Sequence, residues 1–281
     1  MLRWKIGDVS VTGVLEVDMT FPPDELVPGL APEILERHAA WLRPHFLNDS
    51  GDFTLVIQAL VIEASGRKIL VDTCVGNGRE RSAVGVETLD GPFLEDLEAA
   101  GTPRESVDVV VCTHLHFDHV GWNTMKVDGR WVPTFPNAEY LIGREEYEFW
   151  SASESDLVDL EDTLAPVAEA GLQRLVSSDH RITDEVWLEP SPGHTPGHVS
   201  VRISSQGEDA VITGDLVHHP IQLAEPGLPG LADSDRDQAR QTRVAFVERY
   251  GASPTLIIGT HFAAPTAGHL VRDGELWRFD G

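Results

Sequence analysis

The sequence predicts an α/β fold in which two β-sheets pack face to face, with helices on their outer faces. Strand patterns and helix patterns occur in both halves of the chain, and no low-complexity linker separates the halves. Hydrophobic residues make up 41% of the 281 residues, which is enough apolar material for a full core. We therefore expect residues 1–281 to form one domain.

In the first half, runs of alternating, β-branched residues predict strands at residues 2–6, 9–17, 53–63 and 68–72. A helical pattern at residues 33–41 follows a proline-rich stretch. A second helix is predicted at residues 92–100, because proline stands at its start and Gly101 just past its end. The uninterrupted apolar run of residues 107–112 is typical of a strand buried on both faces.

The second half repeats this pattern. Strands are predicted at residues 139–142, 182–188, 199–203, 210–213 and 255–258, and helices at residues 144–150, 155–170 and 235–250. Ser234 is the expected N-cap of the last helix, which ends at Gly251. Residues 221–231 contain two prolines and two glycines, so we expect them to form a loop.

The charge balance excludes several classes of partner. The chain has 21 Lys and Arg residues against 46 Asp and Glu residues, a formal net charge of −25. Nucleic acids and anionic membranes bind mainly through basic side chains, so we expect neither as a partner. No apolar run approaches the ~20 residues of a membrane-spanning helix, and the N-terminus lacks the apolar core of a signal peptide. Two cysteines, expected as buried thiols, fit a cytoplasmic location.

The segment after the buried strand at residues 107–112 carries the chemistry. It contains His114, His116, Asp118 and His119, which are nitrogen and oxygen donors suited to a transition metal, usually zinc. At the extended end of a strand, His114 and His116 point to one side, and a turn can bring Asp118 and His119 back to the same space. One loop could therefore serve two metal ions.

Three further candidate ligands each stand at the end of a predicted strand. They are His194 in a Pro-Gly-His turn, Asp215 in a Gly-Asp pair, and His261 in Gly-Thr-His. Each alone would more often be a hydrogen-bonded turn or core residue. Together with the first segment they would complete two coordination shells.

The His-x-His-x-Asp-His pattern at residues 114–119, with these later motifs in order, resembles the metallo-β-lactamase superfamily. The resemblance implies an αββα sandwich of two mixed β-sheets flanked by helices, with two zinc ions per chain. It assigns one ion to His114, His116 and His194, the other to Asp118, His119 and His261, and the bridge to Asp215. His198 and Asp72 would orient ligands through hydrogen bonds. Iron or manganese in place of zinc remains open.

The resemblance also separates branches of the superfamily. The bridging Asp215 is typical of lactonase-, glyoxalase- and phosphotriesterase-like members, and is lacking in true β-lactamases. Gly121-Trp122-Asn123 and the residues after Asp215 are most similar to lactonases and methyl-parathion hydrolases. We therefore expect a hydrolase of a lactone or ester of a small, largely apolar molecule, with phosphotriesterase side activity. A glyoxalase-type thioesterase or a mononuclear-iron dioxygenase is the alternative.

The implied site carries a small net positive charge, which suits attack by metal-bound hydroxide on a neutral carbonyl without a covalent acyl-enzyme. Asp118 could pass a proton to the leaving group. His218 or His219 could replace the tyrosine that assists in acyl-homoserine lactonases. The only partner expected is a small-molecule substrate, and a homodimer remains open. Apolar residues in or beside loops near the motifs could form a pocket wall: Phe21, Trp41, Phe46, Trp122, Ile221, Leu223 and Phe262.

Overall fold

The first β-sheet is mixed and has seven strands. The computed structural model describes residues 1–80 and 87–281. Its first nine strands are β1 (Leu2–Ile6), β2 (Val9–Phe21), β3 (Phe53–Ala64), β4 (Arg67–Val71), β5 (Val109–Cys112), β6 (Thr124–Val127), β7 (Arg130–Pro133), β8 (Glu139–Gly143) and β9 (Gln173–Val176). The sheet order is β1-β2-β3-β4-β5-β8-β9, with β4, β5, β8 and β9 parallel. Strands β6 and β7 form a separate hairpin.

The second sheet is also mixed and has six strands in sequence order. They are β10 (Val186–Pro190), β11 (Val199–Ser205), β12 (Glu208–Ile212), β13 (Leu256–Ile258), β14 (Ala267–Asp273) and β15 (Leu276–Asp280). Only β12 and β13 pair in parallel, and the other neighbours are antiparallel. A parallel pair needs a long crossover, which here carries the last long helix.

The helices lie outside the sheets. Those of the described residues are α1 (Pro23–Leu26), α2 (Pro32–Leu42), α3 (Phe93–Ala99), α4 (Phe117–Val120), α5 (Arg144–Ser151), α6 (Leu160–Thr163), α7 (Ala165–Glu169), α8 (Ile221–Ala224) and α9 (Arg236–Tyr250). None of these is long and apolar enough to cross a bilayer.

Strand alternation builds three apolar layers. In β5, Val109 and Val111 pack between the sheets, whereas Val110 and Cys112 face α3, α5 and α7. In the second sheet, residues such as Ile212 point into the central layer, and their neighbours point outward toward α8 and α9. This is the expected αββα sandwich, with a buried face on both sides of each sheet.

Two predicted helical segments are corrected by the structure. The helix expected at residues 155–170 is broken into α6 and α7 at Leu164, because Pro166 lacks a backbone N–H and lies in the first turn of a new helix. The N-cap of α9 is Asp235 rather than Ser234, since the Asp235 carboxylate accepts the N–H of Gln238 at 3.0 Å.

Other expectations fail at short elements. The expected loop at residues 221–231 begins with one helical turn, α8, which is buried throughout. The strand expected at residues 182–188 starts only at Val186. The hairpins β6–β7 and β14–β15 and the strand β9 were not predicted. The first hairpin turns at Asp128-Gly129, where both residues have positive φ, a known hairpin signal.

Candidate metal centre

The predicted ligands meet at one edge of the two sheets. Four of them lie on the segment that follows β5 and ends in α4, and the others follow β10, β12 and β13. Because β12 and β13 run parallel, their carboxyl ends meet at the same edge. This brings Oδ1 of Asp215 within 3.0 Å of Nε2 of His261.

The first group of donor atoms consists of three histidine nitrogens and one oxygen of Asp215, and we call it half-site 1. Nε2 of His114 and Nε2 of His194 each lie 3.0 Å from Nδ1 of His116. Oδ2 of Asp215 lies 3.3 Å from Nε2 of His194 and 3.7 Å from Nε2 of His114. All four residues are buried.

The second group, half-site 2, contains Asp118, His119 and His261. Nε2 of His119 lies 3.3 Å from Nε2 of His261, and Oδ2 of Asp118 lies 3.5 and 3.6 Å from these two atoms. Oδ1 of Asp215 lies 3.3 Å from Nε2 of His119. The two carboxylate oxygens of Asp215 thus face different half-sites.

These separations fit metal coordination. Ligands about 2.0–2.1 Å from a tetrahedral zinc ion lie about 3.3–3.4 Å from one another, which matches the donor separations in both half-sites. Oδ1 of Asp215 is buried, and no hydrogen bond to it is formed by the described residues. A buried carboxylate oxygen in that state is suited to a cation. The residues therefore fit a binuclear centre.

Hydrogen bonds on the far side of each ring orient the ligands of half-site 2. Nδ1 of His119 lies 2.9 Å from Oδ2 of Asp72, and Nδ1 of His261 lies 2.8 Å from the carbonyl oxygen of Val56. Each Nδ1–H donates to these acceptors, so Nε2 is the nitrogen of each ring that would bind a metal ion. Asp72 thus makes the kind of hydrogen bond that was expected of it.

The two half-sites differ in their proton affinity. Burial lowers the pKa of His114 and His116, and both rings are neutral and ready to coordinate. In His119 and His261 burial also disfavours the proton, but the Asp215 and Asp118 carboxylates outweigh it and raise both pKa values. A metal ion in half-site 2 would replace those protons.

Asp215, the candidate bridging residue, is held by His198 through a close backbone approach. Nε2 of His198 accepts the N–H of Asp215 at 2.8 Å, while its Nδ1 lies 2.8 Å from Oγ of Ser191. Burial lowers the pKa of His198 to about 3, so the ring stays neutral and can accept this bond. A Cβ at Gly214, where φ is +55°, would lie 2.6 Å from that nitrogen. The glycine is therefore required here.

His218 is the one of the two candidate proton-transfer histidines that reaches the centre. Its Nε2 lies 3.2 Å from Oδ2 of Asp215, and its ring stacks parallel to that of His261 at 5.9 Å. Oε1 of Gln222 accepts the backbone N–H of His218 at 2.8 Å and so fixes the turn that carries it.

His219 has a different place, which corrects the expectation that it could assist catalysis. Its Nε2 donates to the carbonyl of Phe46 at 2.9 Å, and its Nδ1 accepts the N–H of Ile221 at 3.3 Å. The ring stacks on Phe53 at 3.8 Å and is fully buried. Neither nitrogen is left for a substrate.

Most of the expected apolar pocket wall is ordinary core. Phe46, Ile221, Leu223 and Phe262 are at most 3% exposed and belong to one apolar cluster with residues of α9. Trp122 is 5% exposed, and its Nε1 donates to Glu16 at 2.6 Å. Only Phe21 and Trp41 of the seven remain half-buried.

Two acidic residues that support the centre were not predicted. Oε1 of Glu146 accepts the N–H of Leu115 at 3.2 Å and its Oε2 accepts that of Gly197 at 2.9 Å, so it ties the two ligand segments together. Asp233 lies 3.3 Å from Nδ1 of His194. In sequence, Glu146 stands in a helix first turn and Asp233 beside a helix cap, where acidic residues are common, so no signal marked them.

Comparison with known proteins identifies the family. Residues 53–261 match the sequence family described as the metallo-beta-lactamase superfamily. The match extends over more than half of the chain and includes all seven candidate ligands. The chain therefore belongs to the metallo-beta-lactamase superfamily, in agreement with its fold.

The curated relatives include acyl-homoserine lactonases. An N-acyl homoserine lactonase of Bacillus sp is 29% identical over 174 residues, which are 56% of this chain and 62% of the relative. The N-acyl homoserine lactonase AttM of Azorhizobium caulinodans is also 29% identical over 174 residues, with 58% and 62% coverage. The chain thus spans about three fifths of the length of these relatives.

Solved structures match along nearly the whole chain. The hydrolase AbOPH of the beta lactamase superfamily has a TM-score of 0.80 and 25% identity, covering 99% of this chain and 96% of that one. AidC, described as a dizinc quorum-quenching lactonase, has a TM-score of 0.77 and 19% identity, again with 99% and 96% coverage. The second likeness concerns the fold.

Proposed function

We propose that this protein is a binuclear zinc hydrolase of uncharged lactones or esters, with secondary activity on phosphotriesters. The observation that carries the proposal is the placement of Asp215, whose two oxygens face two separate groups of donor atoms. The names of the curated relatives support a lactone as the first substrate class to test.

Metal ions bound in the two half-sites would polarise the scissile carbonyl and lower the pKa of a coordinated water molecule. The chain's own groups then have to move one proton to the departing oxygen. Asp118 is suited to this task, because its side chain is 16% exposed and is the most accessible of the ligands. Burial raises the pKa of Asp118, but the attraction of the neighbouring His119 outweighs it and holds this pKa well below its usual range. Asp118 is therefore ionised before the reaction, and a proton that it takes up is readily released again to the departing oxygen.

His218 would bind and orient the substrate. Its ring lies over Asp215 and His261 at the side of the centre, and its buried Nδ1 has no hydrogen-bond partner among the described residues. Nε2 could donate to a carbonyl or leaving oxygen next to half-site 1. This is the position at which a hydrogen bond to developing negative charge would assist the reaction.

The charge of the chain favours a neutral substrate. A formal net charge of −25 repels anionic molecules such as acidic thioesters, whereas an uncharged lactone or ester is not repelled. A small uncharged molecule is therefore the partner we propose.

The proposal is tested by measuring hydrolysis of lactones, aryl esters, thioesters and phosphotriesters by zinc-loaded protein, together with its metal content. Turnover of lactones or esters with two ions per chain is the expected result. Preference for charged thioesters would indicate a glyoxalase-type enzyme. One iron per chain with oxygen consumption would indicate a dioxygenase, and either outcome would overturn the proposal.

The role of His218 has its own test. His218→Ala should lower kcat by about 10²-fold or more, on the scale of a lost transition-state hydrogen bond, while the protein still binds two ions. The control is His219→Gln, which should leave kcat almost unchanged. Loss of an ion in His218→Ala would show that His218 is a metal ligand instead.

A further inference from the structure

A fully buried ion pair lies behind half-site 1. The guanidinium of Arg243, on α9, lies 3.1 Å from Oδ2 of Asp233, and neither side chain has any exposed surface. Arg243 is the largest fully buried side chain of the described residues. Removal of two charges from water is costly, so the presence of this pair needs a physical explanation.

Asp233 connects this pair to a ligand. Its Oδ1 lies 3.3 Å from Nδ1 of His194, and its Oδ2 also accepts the N–H of Gly230 at 2.8 Å. The imidazole therefore donates through Nδ1, and its Nε2 faces His116 and Asp215 in half-site 1. A carboxylate in this position fixes both the tautomer and the angle of the ring.

The same region also holds the backbone of the ligand segments. The N–H groups of Ser234 and Asp235 donate to the carbonyls of His194 and Gly193 at 2.9 and 3.0 Å. Gly193 has φ of +132°, and a Cβ there would lie 2.2 Å from the backbone nitrogen of Ala239. The first turns of α9 therefore pack directly against the turn that carries His194.

Arg243 reaches the bridging ligand as well. Its second terminal nitrogen donates to the carbonyl of Leu216 at 3.4 Å, and Leu216 directly follows Asp215. One guanidinium thus contacts both the support of His194 and the backbone beside the bridge. This arrangement spans two of the four strand ends that build the centre.

Fold stability does not explain the pair. Desolvation of two buried charges roughly offsets their attraction, and apolar residues of similar size often stabilise a fold as well or better. The charges cancel, so the pair leaves the net charge of the centre unchanged. What the pair adds is a fixed direction for the His194 ring.

We propose that Asp233 and Arg243 are positioning residues that hold His194, and through it the metal ion of half-site 1. Asp233 accepts the proton of His194 Nδ1, and Arg243 holds the Asp233 carboxylate in place. The inference rests on metal binding at half-site 1, which is part of the proposed function.

The test compares zinc affinity by competition with a chelator in wild-type protein and in Asp233→Asn. The variant should lose about 10–100-fold in affinity for one of the two ions, the range typical of such supporting carboxylates, and keep the other ion. Asp237→Asn is the matched control, because Asp237 is an exposed acid in the first turn of α9, the helix that carries Arg243. It should bind both ions as the wild type does.

A double variant keeps the inference testable if the single change disturbs folding. Asp233→Leu with Arg243→Met removes both charges together, so the protein should keep its circular dichroism and a cooperative melting transition without metal. It should nevertheless show the same loss of affinity for one ion. Unchanged affinity for both ions would overturn the inference. Wild-type protein that binds fewer than two ions would instead overturn the binuclear proposal.

Discussion

Asp72 holds both ends of the ligand segment that runs from Thr113 to His119 through one carboxylate. Its Oδ2 lies 2.9 Å from Nδ1 of His119, and its Oδ1 accepts the backbone N–H of Thr113 at 2.8 Å, directly before the first ligand. The residue is 1% exposed and has φ of +58°, a conformation that Asp and Asn adopt more readily than most residues. Asp72 therefore acts on half-site 2 in the way that Asp233 acts on half-site 1.

Asp72→Asn should lower the affinity for the ion in half-site 2 by about 10–100-fold. The amide keeps the backbone conformation but accepts the hydrogen bond from His119 less strongly. The ion in half-site 1 should be unaffected. Chelator competition on this variant and on Asp233→Asn checks the prediction, since the two variants should lose affinity for different ions. If both variants weaken the same ion, the division into two half-sites is wrong.

The bridging role that we propose for Asp215 gives a second prediction. Asp215→Ala should lose both ions, since it removes one donor from each half-site and leaves two cations close together without the intervening negative charge. His261→Ala should lose only one. Elemental analysis after gel filtration gives the number of ions, and circular dichroism should show an intact fold in both variants. Two tightly held ions in Asp215→Ala would contradict the assignment.

The cluster of donor side chains could be predicted because metal chemistry narrows the choice of residues. Only a few side chains bind zinc, and strand ends bring them to one edge, so His194 and His261 stood out next to the 114–119 segment. The layered fold followed from the same strand and helix patterns. The closing hairpin β14–β15 was missed, although Asp273-Gly274 is a turn signal of the same kind as Asp128-Gly129.

The supporting residues could not be predicted, because their partners are distant in sequence. Glu146 acts on Gly197, and Asp233 acts on His194, across gaps of 51 and 39 residues. His218 and His219 are neighbours in sequence, yet one faces the centre and the other lies in the core. Tertiary packing, which a single sequence does not reveal, decides between them.

The hydrogen bonds that Glu146 accepts predict a large loss of stability when its carboxylate is removed. Glu146→Ala would leave three buried donors without an acceptor, namely the N–H groups of Leu115 and Gly197 and Nε1 of Trp150. At about 1–3 kcal/mol for each unsatisfied group, the free energy of unfolding should fall by roughly 3 kcal/mol or more. Urea unfolding measures this. The control Glu145→Ala, at an exposed position on the same helix, should change it by less than about 0.5 kcal/mol.

The buried ring of His219 predicts a pH dependence of stability. Burial lowers its pKa from 6.5 to about 3, although the hydrogen bond to Phe46 opposes this shift. As the pH falls from about 6.5 toward 3, the unfolded chain binds a proton at this residue and the native protein does not. This contribution to the free energy of unfolding is complete above pH 6.5. It is lost at about 1.4 kcal/mol per pH unit below that value.

His219→Gln should therefore flatten the acid side of the stability curve. Glutamine can still donate to the Phe46 carbonyl but does not titrate, so the variant should be less stable at neutral pH and lose less stability on acidification. Unfolding in urea at several pH values between 4 and 7, with metal removed, gives the two slopes. His269→Gln, at an exposed histidine, is the control for the removal of one imidazole. Equal slopes in the wild type and His219→Gln would mean that this ring is protonated in the native protein, contrary to the prediction.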